Sequence, residues 1–268
     1  MKKKVLICVL CFCMAISGLF YAVADEKAVS YVTGDANGDG KVTPADASLI
    51  LRYCVGRVSN LSLRNKINAD VNRNGAVDKN DAAAILRHIV KTSPLTSTAL
   101  DRTLYESLSK NTAFDSGNVE WITRVIQALP SSNKYRAVLY AGSKLMGKTY
   151  SEMDCSTFVK TAFRNAGYSF PSGASYKILD YYNQNGLTHA LSFKSDGTIN
   201  TSALKPGYIL VSLNPSTGKA NHVSLFVGVV NGQVVIMESG SSGLNGVRLT
   251  KMWYTSGYEW KYYINPLG

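Results

Sequence analysis

Residues 150–160 read YSEMDCSTFVK and place a cysteine between an aspartate and a serine. From there to Gly167, apolar side chains recur at helical spacing, which predicts a helix that starts at the cysteine. A thiol at a helix N-terminus lies beside free backbone N–H groups and the positive end of the helix dipole, and both stabilise a thiolate. We therefore interpret Cys155 as a nucleophile; a purely structural thiol at a helix start is the alternative.

A thiolate nucleophile needs a base, and the base needs a group that orients it. The run NHVSLFVG around His222 has the pattern of a strand, and VVIMES follows it through a tight NG turn. Such a hairpin brings Glu238 or Ser239 beside His222, depending on the register. We expect Cys155, His222 and Glu238 to form the catalytic set, in which Glu238 orients the imidazole.

Short alternating apolar runs dominate the chain after residue 200, where GYILVSL, HVSLFVGVV, QVVIMES and WKYYINP are separated by turn residues. These runs predict antiparallel strands. Before Cys155, the segments VEWITRVIQALP and KYRAVLYAGSKLMG predict amphipathic helices. Helices followed by strands predict an α+β catalytic domain over residues 135–268. Residues 93–134 form a linker and helical lead-in, in which residues 99–130 are either a removable prosegment or part of the fold.

A twelve-residue motif occurs twice before this domain, as DANGDGKVTPAD (35–46, the first loop) and DVNRNGAVDKND (70–81, the second loop). Calcium prefers six or more oxygen ligands, and alternating side chains of a tight loop with glycine in sixth place converge on one ion. The seventh residue of each loop contributes a backbone carbonyl. Two polar loops without calcium are the alternative. The expected ligands are Asp35, Asn37, Asp39, Lys41 and Asp46, and then Asp70, Asn72, Asn74, Ala76, Asp78 and Asp81.

Each loop is followed by an apolar run at helical spacing, ASLILRYCVGR or AAAILRHIVKT, and neither is preceded by a comparable run. The duplication, the missing leading helices and an aspartate in twelfth place make residues 31–92 resemble a dockerin. The resemblance implies a small all-α module with two structural calcium ions that binds a cohesin domain of a cell-surface scaffold. Cys54 falls on the apolar side of its helix, and we expect it in the core.

The resemblance also implies which residues face the cohesin, because dockerins dock through the end of each loop and the helix that follows it. These positions do not hold the Ser-Thr pairs of the best-known dockerin type, which leaves the class of cohesin open. They are Pro44, Ala45 and Arg52 in the first repeat and Lys79, Asn80 and Arg87 in the second.

The later domain resembles the NlpC-type cell-wall peptidases, which are small papain-like enzymes of bacteria. The resemblance covers roughly residues 135–265 and rests on the pieces GKTY, DCSTFVKTAFRNAG, LKPG, HVSLFVG and GVRLTKM. It implies that Cys155 is the nucleophile, His222 the base and Glu238 the third polar residue, with no metal ion in catalysis. The implied substrate is a peptidoglycan stem peptide, cut after D-glutamate.

The implied substrate pocket departs from the family pattern. Tyr150, Asp154 and Ser156 match positions that bind a free peptide amine in many members, but only SEM separates the first two. Thr157 stands where glycine is usual, and Tyr208 stands where aspartate is usual. An amidase or a protein peptidase on the same fold therefore stays open. So do a catalytically silent cell-wall-binding module and a subunit that only docks, although an intact Cys-His-acid set favours an enzyme.

Two further expectations concern the insertion and the relation of the two parts. His189 lies in an insertion before the strands, and we expect it at the surface or in a pocket wall because no strand pattern surrounds it. The dockerin and the enzyme are expected to be independent, so that calcium removal unfolds residues 31–92 and leaves hydrolysis intact.

The N-terminus MKKKVLICVLCFCMAISGLFYAVADEKA joins three lysines to a short apolar run and a small-x-small site, which predicts a secretion signal over residues 1–24. Its removal takes away these three lysines and lowers the formal net charge of the 268-residue chain from +11 to +8. Only Cys54 and Cys155 then remain, so the chain is not a disulfide scaffold. We expect a secreted protein held at the bacterial cell surface by its scaffold, with no nucleic-acid partner and no membrane span after cleavage.

Overall fold

The computed structural model describes residues 31–95 and 98–268, and the expected secretion signal lies outside these described residues. The helices in these ranges are α1 (Pro44–Cys54), α2 (Leu63–Ala69), α3 (Lys79–Ile89), α4 (Arg102–Ser109), α5 (Ser116–Ala128), α6 (Lys134–Ser143), α7 (Cys155–Asn165) and α8 (Ser175–Gln184). The strands are β1 (Thr188–Ala190), β2 (Ile209–Leu213), β3 (Ala220–Val230), β4 (Gln233–Gly240), β5 (Gly246–Lys251) and β6 (Glu259–Ile264). No helix in this part of the chain is long and apolar enough to cross a membrane.

The two repeats fold as the same loop followed by the same helix, and α1 and α3 pack against each other through fully buried isoleucines. Thr43 caps α1 and Asp78 caps α3, and in each case the third helical residue completes a capping box. Gly40 and Gly75 have φ values of +86° and +87°, a left-handed conformation that glycine adopts without strain. The predicted small all-α module is therefore present.

The short helix α2 lies directly before the second loop, where we expected no helix. Ser62 caps it by accepting a hydrogen bond from the Asn65 N–H, and Asp70, the first residue of the loop, ends it. Its seven residues span barely two turns, which is too short for a periodic apolar pattern to be recognised. The expectation was wrong for the second repeat for this reason.

The prediction that Cys54 is a core residue was also wrong, because its side chain is exposed. α1 buries only Asp46, Ala47 and Ile50, a narrow stripe facing α3. Two short helices cannot cover more of each other, so the rest of the apolar side of α1 remains in solvent.

Residues 188–264 form a six-stranded antiparallel sheet in the order β1-β6-β2-β3-β4-β5. The four predicted strands are present, which confirms the α+β class. Two strands were missed, namely β1 and β5. His189 lies in β1, so the expectation that no strand surrounds it was wrong, although it is exposed as expected. β1 has only three residues and lies at the edge of the sheet. There the His189 imidazole stacks on the ring of Tyr263, with ring centroids 5.0 Å apart.

Helices α4 to α8 build one large core with the sheet, and α5, α7 and α8 pack directly on β3. Leu108 from α4 and Trp121 and Ile126 from α5 belong to this core, together with Phe158 from α7 and Val223 from β3. These five side chains are at most 1 % exposed. Residues 99–130 are therefore part of the folded core, and we refer to residues 98–268 as the catalytic unit.

Candidate active site and calcium loops

Cys155 is the first residue of α7, as the apolar pattern predicted. Asp154 caps this helix, and its Oδ1 accepts hydrogen bonds from the Thr157 N–H at 2.7 Å and from the Ser156 hydroxyl at 2.9 Å. The capping aspartate thus fixes the start of the helix on which the thiol sits. The Cys155 residue is only 5 % exposed, so its sulfur lies in a largely dry environment next to free helical N–H groups.

The Cys155 thiol and the His222 imidazole shift each other's pKa in opposite directions. Burial by itself raises the pKa of Cys155, but the hydrogen bond and charge of His222 outweigh it, with help from the Ser175 hydroxyl and the Val223 N–H, so that the pKa is lowered. Burial alone would lower the pKa of His222, but contact with Cys155 and Glu238 raises it to about 9. Both shifts favour a thiolate next to an imidazolium.

Glu238 is fully buried and holds the far side of the imidazole, with its Oε2 2.7 Å from His222 Nε2. Burial alone would raise the pKa of this carboxyl. Hydrogen bonding and charge from His222, together with the charge of Arg248, outweigh burial and lower the pKa, so the group is a carboxylate. The neighbouring Ser239 points elsewhere, since its hydroxyl donates to the Met153 carbonyl. The structure therefore brings Glu238, and not Ser239, to His222.

Two residues that sequence reasoning missed hold Glu238 in place. Arg248 donates to Glu238 Oε1 from Nε at 2.9 Å and from Nη2 at 2.7 Å. The indole N–H of Trp253 lies 3.0 Å from Oε1 and 3.1 Å from Oε2. Arg248 lies directly opposite Glu238 in the β4–β5 pair. Recognition of GVRLTKM as a strand paired with β4 would have predicted this contact, because directly opposed charges attract.

Aromatic rings enclose the free side of His222. The ring centroid of Trp253 lies 5.4 Å from that of His222, that of Trp260 lies 5.8 Å away and that of Tyr258 lies 6.3 Å away. A wall of this kind lowers the local dielectric constant and strengthens the charge interactions of the imidazole.

A cavity of about 400 Å³ opens beside His222 and Arg248. Tyr150, one of the three predicted substrate-binding residues, lines it together with Leu244 and two aromatic residues of the wall. The other two predicted residues, Asp154 and Ser156, are not among its lining residues. The cavity is large enough for part of a peptide and has the His222 imidazole in its wall.

The two loops hold oxygen donors in a pattern that suits calcium. The first and twelfth side chains of each loop are at most 1 % exposed, namely Asp35, Asp46, Asp70 and Asp81. The remaining side-chain ligands predicted for the loops lie at or near the surface. No three His, Cys, Asp or Glu side chains converge on one point in residues 31–95 and 98–268, and the predicted ligand sets also include amide and backbone oxygens.

A cation fits these loops because each buries two carboxylates, and in the second loop the two lie close enough to interact. Burial and the charge of Asp70 raise the pKa of Asp81 to about 6, although backbone N–H donors partly oppose the shift. Buried carboxylates of this kind require a counter-charge, and calcium takes oxygen ligands alone. The predicted docking residues lie at the ends of the loops and on the helices that follow them, and all six are exposed: Pro44, Ala45, Arg52, Lys79, Asn80 and Arg87.

We predict that iodoacetamide at neutral pH alkylates Cys155 before Cys54, although Cys54 is the more exposed thiol. Partial burial and the negative charges of Asp78 and Asp81 raise the pKa of Cys54, whereas that of Cys155 is lowered. The rate at Cys54 should rise about tenfold per pH unit below its pKa, because only the thiolate reacts. Peptide mapping by mass spectrometry measures both rates, and Cys54→Ser should leave the rate at Cys155 unchanged. Faster labelling of Cys54 at neutral pH would contradict the charge state proposed for Cys155.

Comparison with known proteins identifies two regions of the chain. Residues 33–90 match the family model of the dockerin type I domain, and residues 142–262 match that of the NlpC/P60 family. No curated protein and no solved structure matches the chain. The matched regions coincide with the duplicated loops and with the papain-like arrangement of α7 and the sheet. The chain is therefore a dockerin-bearing NlpC/P60 peptidase.

Proposed function

We propose that the protein is a secreted cysteine hydrolase that cleaves amide bonds in peptidoglycan stem peptides, of the D-glutamyl-diamino acid endopeptidase type. The observation that carries this proposal is the buried series of contacts from Cys155 through His222 to Glu238, in which His222 lies in the wall of a cavity of about 400 Å³. A non-catalytic cell-wall-binding module has no use for a thiol and an imidazole whose pKa values are shifted toward the ion pair.

The proposed reaction passes through a thioester. The Cys155 thiolate attacks the carbonyl carbon, and its own backbone N–H helps to stabilise the oxyanion. Because His222 Nε2 is engaged by Glu238, its Nδ1 is left to serve the sulfur and the substrate. Nδ1–H gives its proton to the leaving amine as the C–N bond breaks. His222 then takes a proton from water as the water attacks the thioester, which releases the carboxylic acid product and restores the starting pair.

The cavity and the charge of the chain support a cell-wall peptide as substrate. The cavity is lined by Tyr150, Trp253 and Tyr258, with Asn221 as a polar group, and suits a small peptide more than an extended protein segment. The mature chain carries an excess of basic residues, which favours an anionic polymer. An amidase or a protein peptidase on the same fold is the second candidate, because the predicted amine-binding residues Asp154 and Ser156 lie outside the cavity lining.

The dockerin is proposed to hold two structural calcium ions, one in each loop, and to bind a cohesin of a cell-surface scaffold. The ions supply the positive charge that the buried loop carboxylates need. Exposed apolar residues support a docking surface on the helices that follow the loops, and they occupy equivalent places in the two repeats. They are Leu51 and Val55, which are 44 % and 70 % exposed, and Leu86 and Val90, which are 42 % and 66 % exposed.

We predict that the double variant Arg52→Glu, Arg87→Glu binds type I cohesins at least about tenfold more weakly than the wild type, because it reverses charge beside these apolar residues. Surface plasmon resonance against a panel of immobilised cohesins measures the affinities. His189→Ala, an exposed change on the catalytic unit, is the matched control and should bind normally. Unchanged affinity of the double variant would place the docking surface elsewhere.

We predict that the mature chain cuts muropeptides between D-glutamate and the diamino acid, as measured by mass spectrometry of purified peptidoglycan fragments. Cys155→Ala should give no products. Glu238→Gln should lower turnover more than about tenfold without unfolding, because loss of an orienting group usually costs less than loss of the nucleophile. Products from Cys155→Ala would refute the cysteine mechanism. Release of intact stem peptides from the glycan would identify an amidase. Digestion of protein substrates without cleavage of muropeptides would identify a protein peptidase.

A further inference from the structure

The two calcium loops differ in what surrounds their first ligand. In the second loop, the indole N–H of Trp121 donates to Asp70 Oδ2 at 2.6 Å. Trp121 belongs to α5 of the catalytic unit and is 1 % exposed, and Asp70 is fully buried. In the first loop, Asp35 accepts hydrogen bonds from N–H groups of its own loop, at Gly38, Asp39 and Gly40.

The backbone of the second loop also touches the sheet. The Gly75 carbonyl accepts a hydrogen bond from the Asn231 N–H at 3.0 Å, in the turn between β3 and β4. A Cβ atom on Gly75 would lie 2.2 Å from the Val229 carbonyl oxygen, so this approach requires glycine. A Cβ atom on Gly40, at the same place in the first loop, would meet nothing within 4 Å.

The apolar core is continuous from the second repeat into the catalytic unit. Ile67 of α2 belongs to the same buried cluster as Trp121, and Leu63 packs against it. Leu63 lies so close to α5 that a Cβ atom on Gly117 would be 2.5 Å from it. α5 in turn lies on β3, the strand that carries His222. The second repeat therefore packs against the catalytic unit, which argues against the expected independence of dockerin and enzyme.

We propose that the second calcium loop is a structural metal site of the catalytic unit, with Trp121 as the residue that positions its first ligand. This inference rests on the proposed calcium ions. A buried neutral donor fixes the orientation of a ligand carboxylate without adding positive charge, and such outer partners usually change metal affinity. An ion that binds only the folded loop stabilises everything that unfolds with it.

The two loops offer matched variants for a test. Asp39 and Asn74 both stand in fifth place and both are exposed, and the hydrogen bond of Trp121 goes to Asp70 rather than to either of them. Asp39→Ala therefore weakens the first site, and Asn74→Ala the second, without disturbing the buried contact. Trp121→Phe removes the indole N–H and keeps most of the ring's apolar contacts.

The first measurement uses Tb³⁺, which binds at calcium sites and emits after energy transfer from an adjacent indole. In the mature full-length chain, tryptophan-sensitised emission should persist in Asp39→Ala and be lost in Asn74→Ala and Trp121→Phe. Trp253→Phe, which changes a tryptophan beside His222, should leave the emission unchanged.

The second measurement is calorimetry with calcium. In the Asp39→Ala background, Trp121→Phe should weaken calcium binding about tenfold, in line with other outer-sphere partners. Calcium should raise the unfolding temperature of the catalytic unit in Asp39→Ala but not in Asn74→Ala. Calcium binding without sensitised emission would overturn the inference, and so would an equal rise in unfolding temperature in Asp39→Ala and Asn74→Ala. Neither result would contradict the proposed calcium ions themselves. No binding of either ion at any loop would overturn both.

Discussion

The buried carboxylate of Glu238 is the constraint on which the active site depends. Removing an ion from water costs several kcal/mol, so a fully buried carboxylate persists only when its oxygens are paired. Here Oε2 meets His222, Oε1 accepts two hydrogen bonds from Arg248, and the Trp253 indole spans both oxygens. Three strands must pair in the correct register for these groups to meet, so the fold and the orientation of the catalytic imidazole are fixed together.

Arg248 connects Glu238 to the cavity beside His222. Its Nη1 donates to the backbone carbonyls of Ser242 and Leu244, in the loop between β4 and β5 that lines the cavity. One guanidinium therefore holds both the orienting acid and a wall of the binding site. On the other side, the first turn of α7 presents Cys155 to the imidazole, and Asp154 fixes where that turn begins. The His222 imidazole is thus positioned by strand pairing, and the Cys155 thiol is positioned by helix capping.

Local patterns in the sequence predicted that Cys155, His222 and either Glu238 or Ser239 lie together, and the structure brings Glu238 to His222. A helix start marks Cys155, and strand alternation through a tight turn places Glu238 beside His222. Arg248 and Trp253 were missed because their roles depend on the pairing of β5 with β4, which no periodicity within β5 reveals. The burial of Cys54 was predicted wrongly because apolar residues on the exposed side of a small helix pair have the same spacing as those on a buried side. Likewise, no local pattern predicts that an indole from α5 reaches a calcium loop.

The central claim is that His222 is held as an imidazolium by Cys155 and Glu238, and NMR titration of its ring nitrogens tests it most directly. The chain has three histidines, and His222→Gln identifies the signal. We expect His222 to stay protonated through neutral pH and to titrate at about pH 9. Because contacts with Cys155 and Glu238 raise this pKa, Cys155→Ala and Glu238→Gln should each lower it. A wild-type titration near the ordinary value of 6.5, or no change in either variant, would contradict the account.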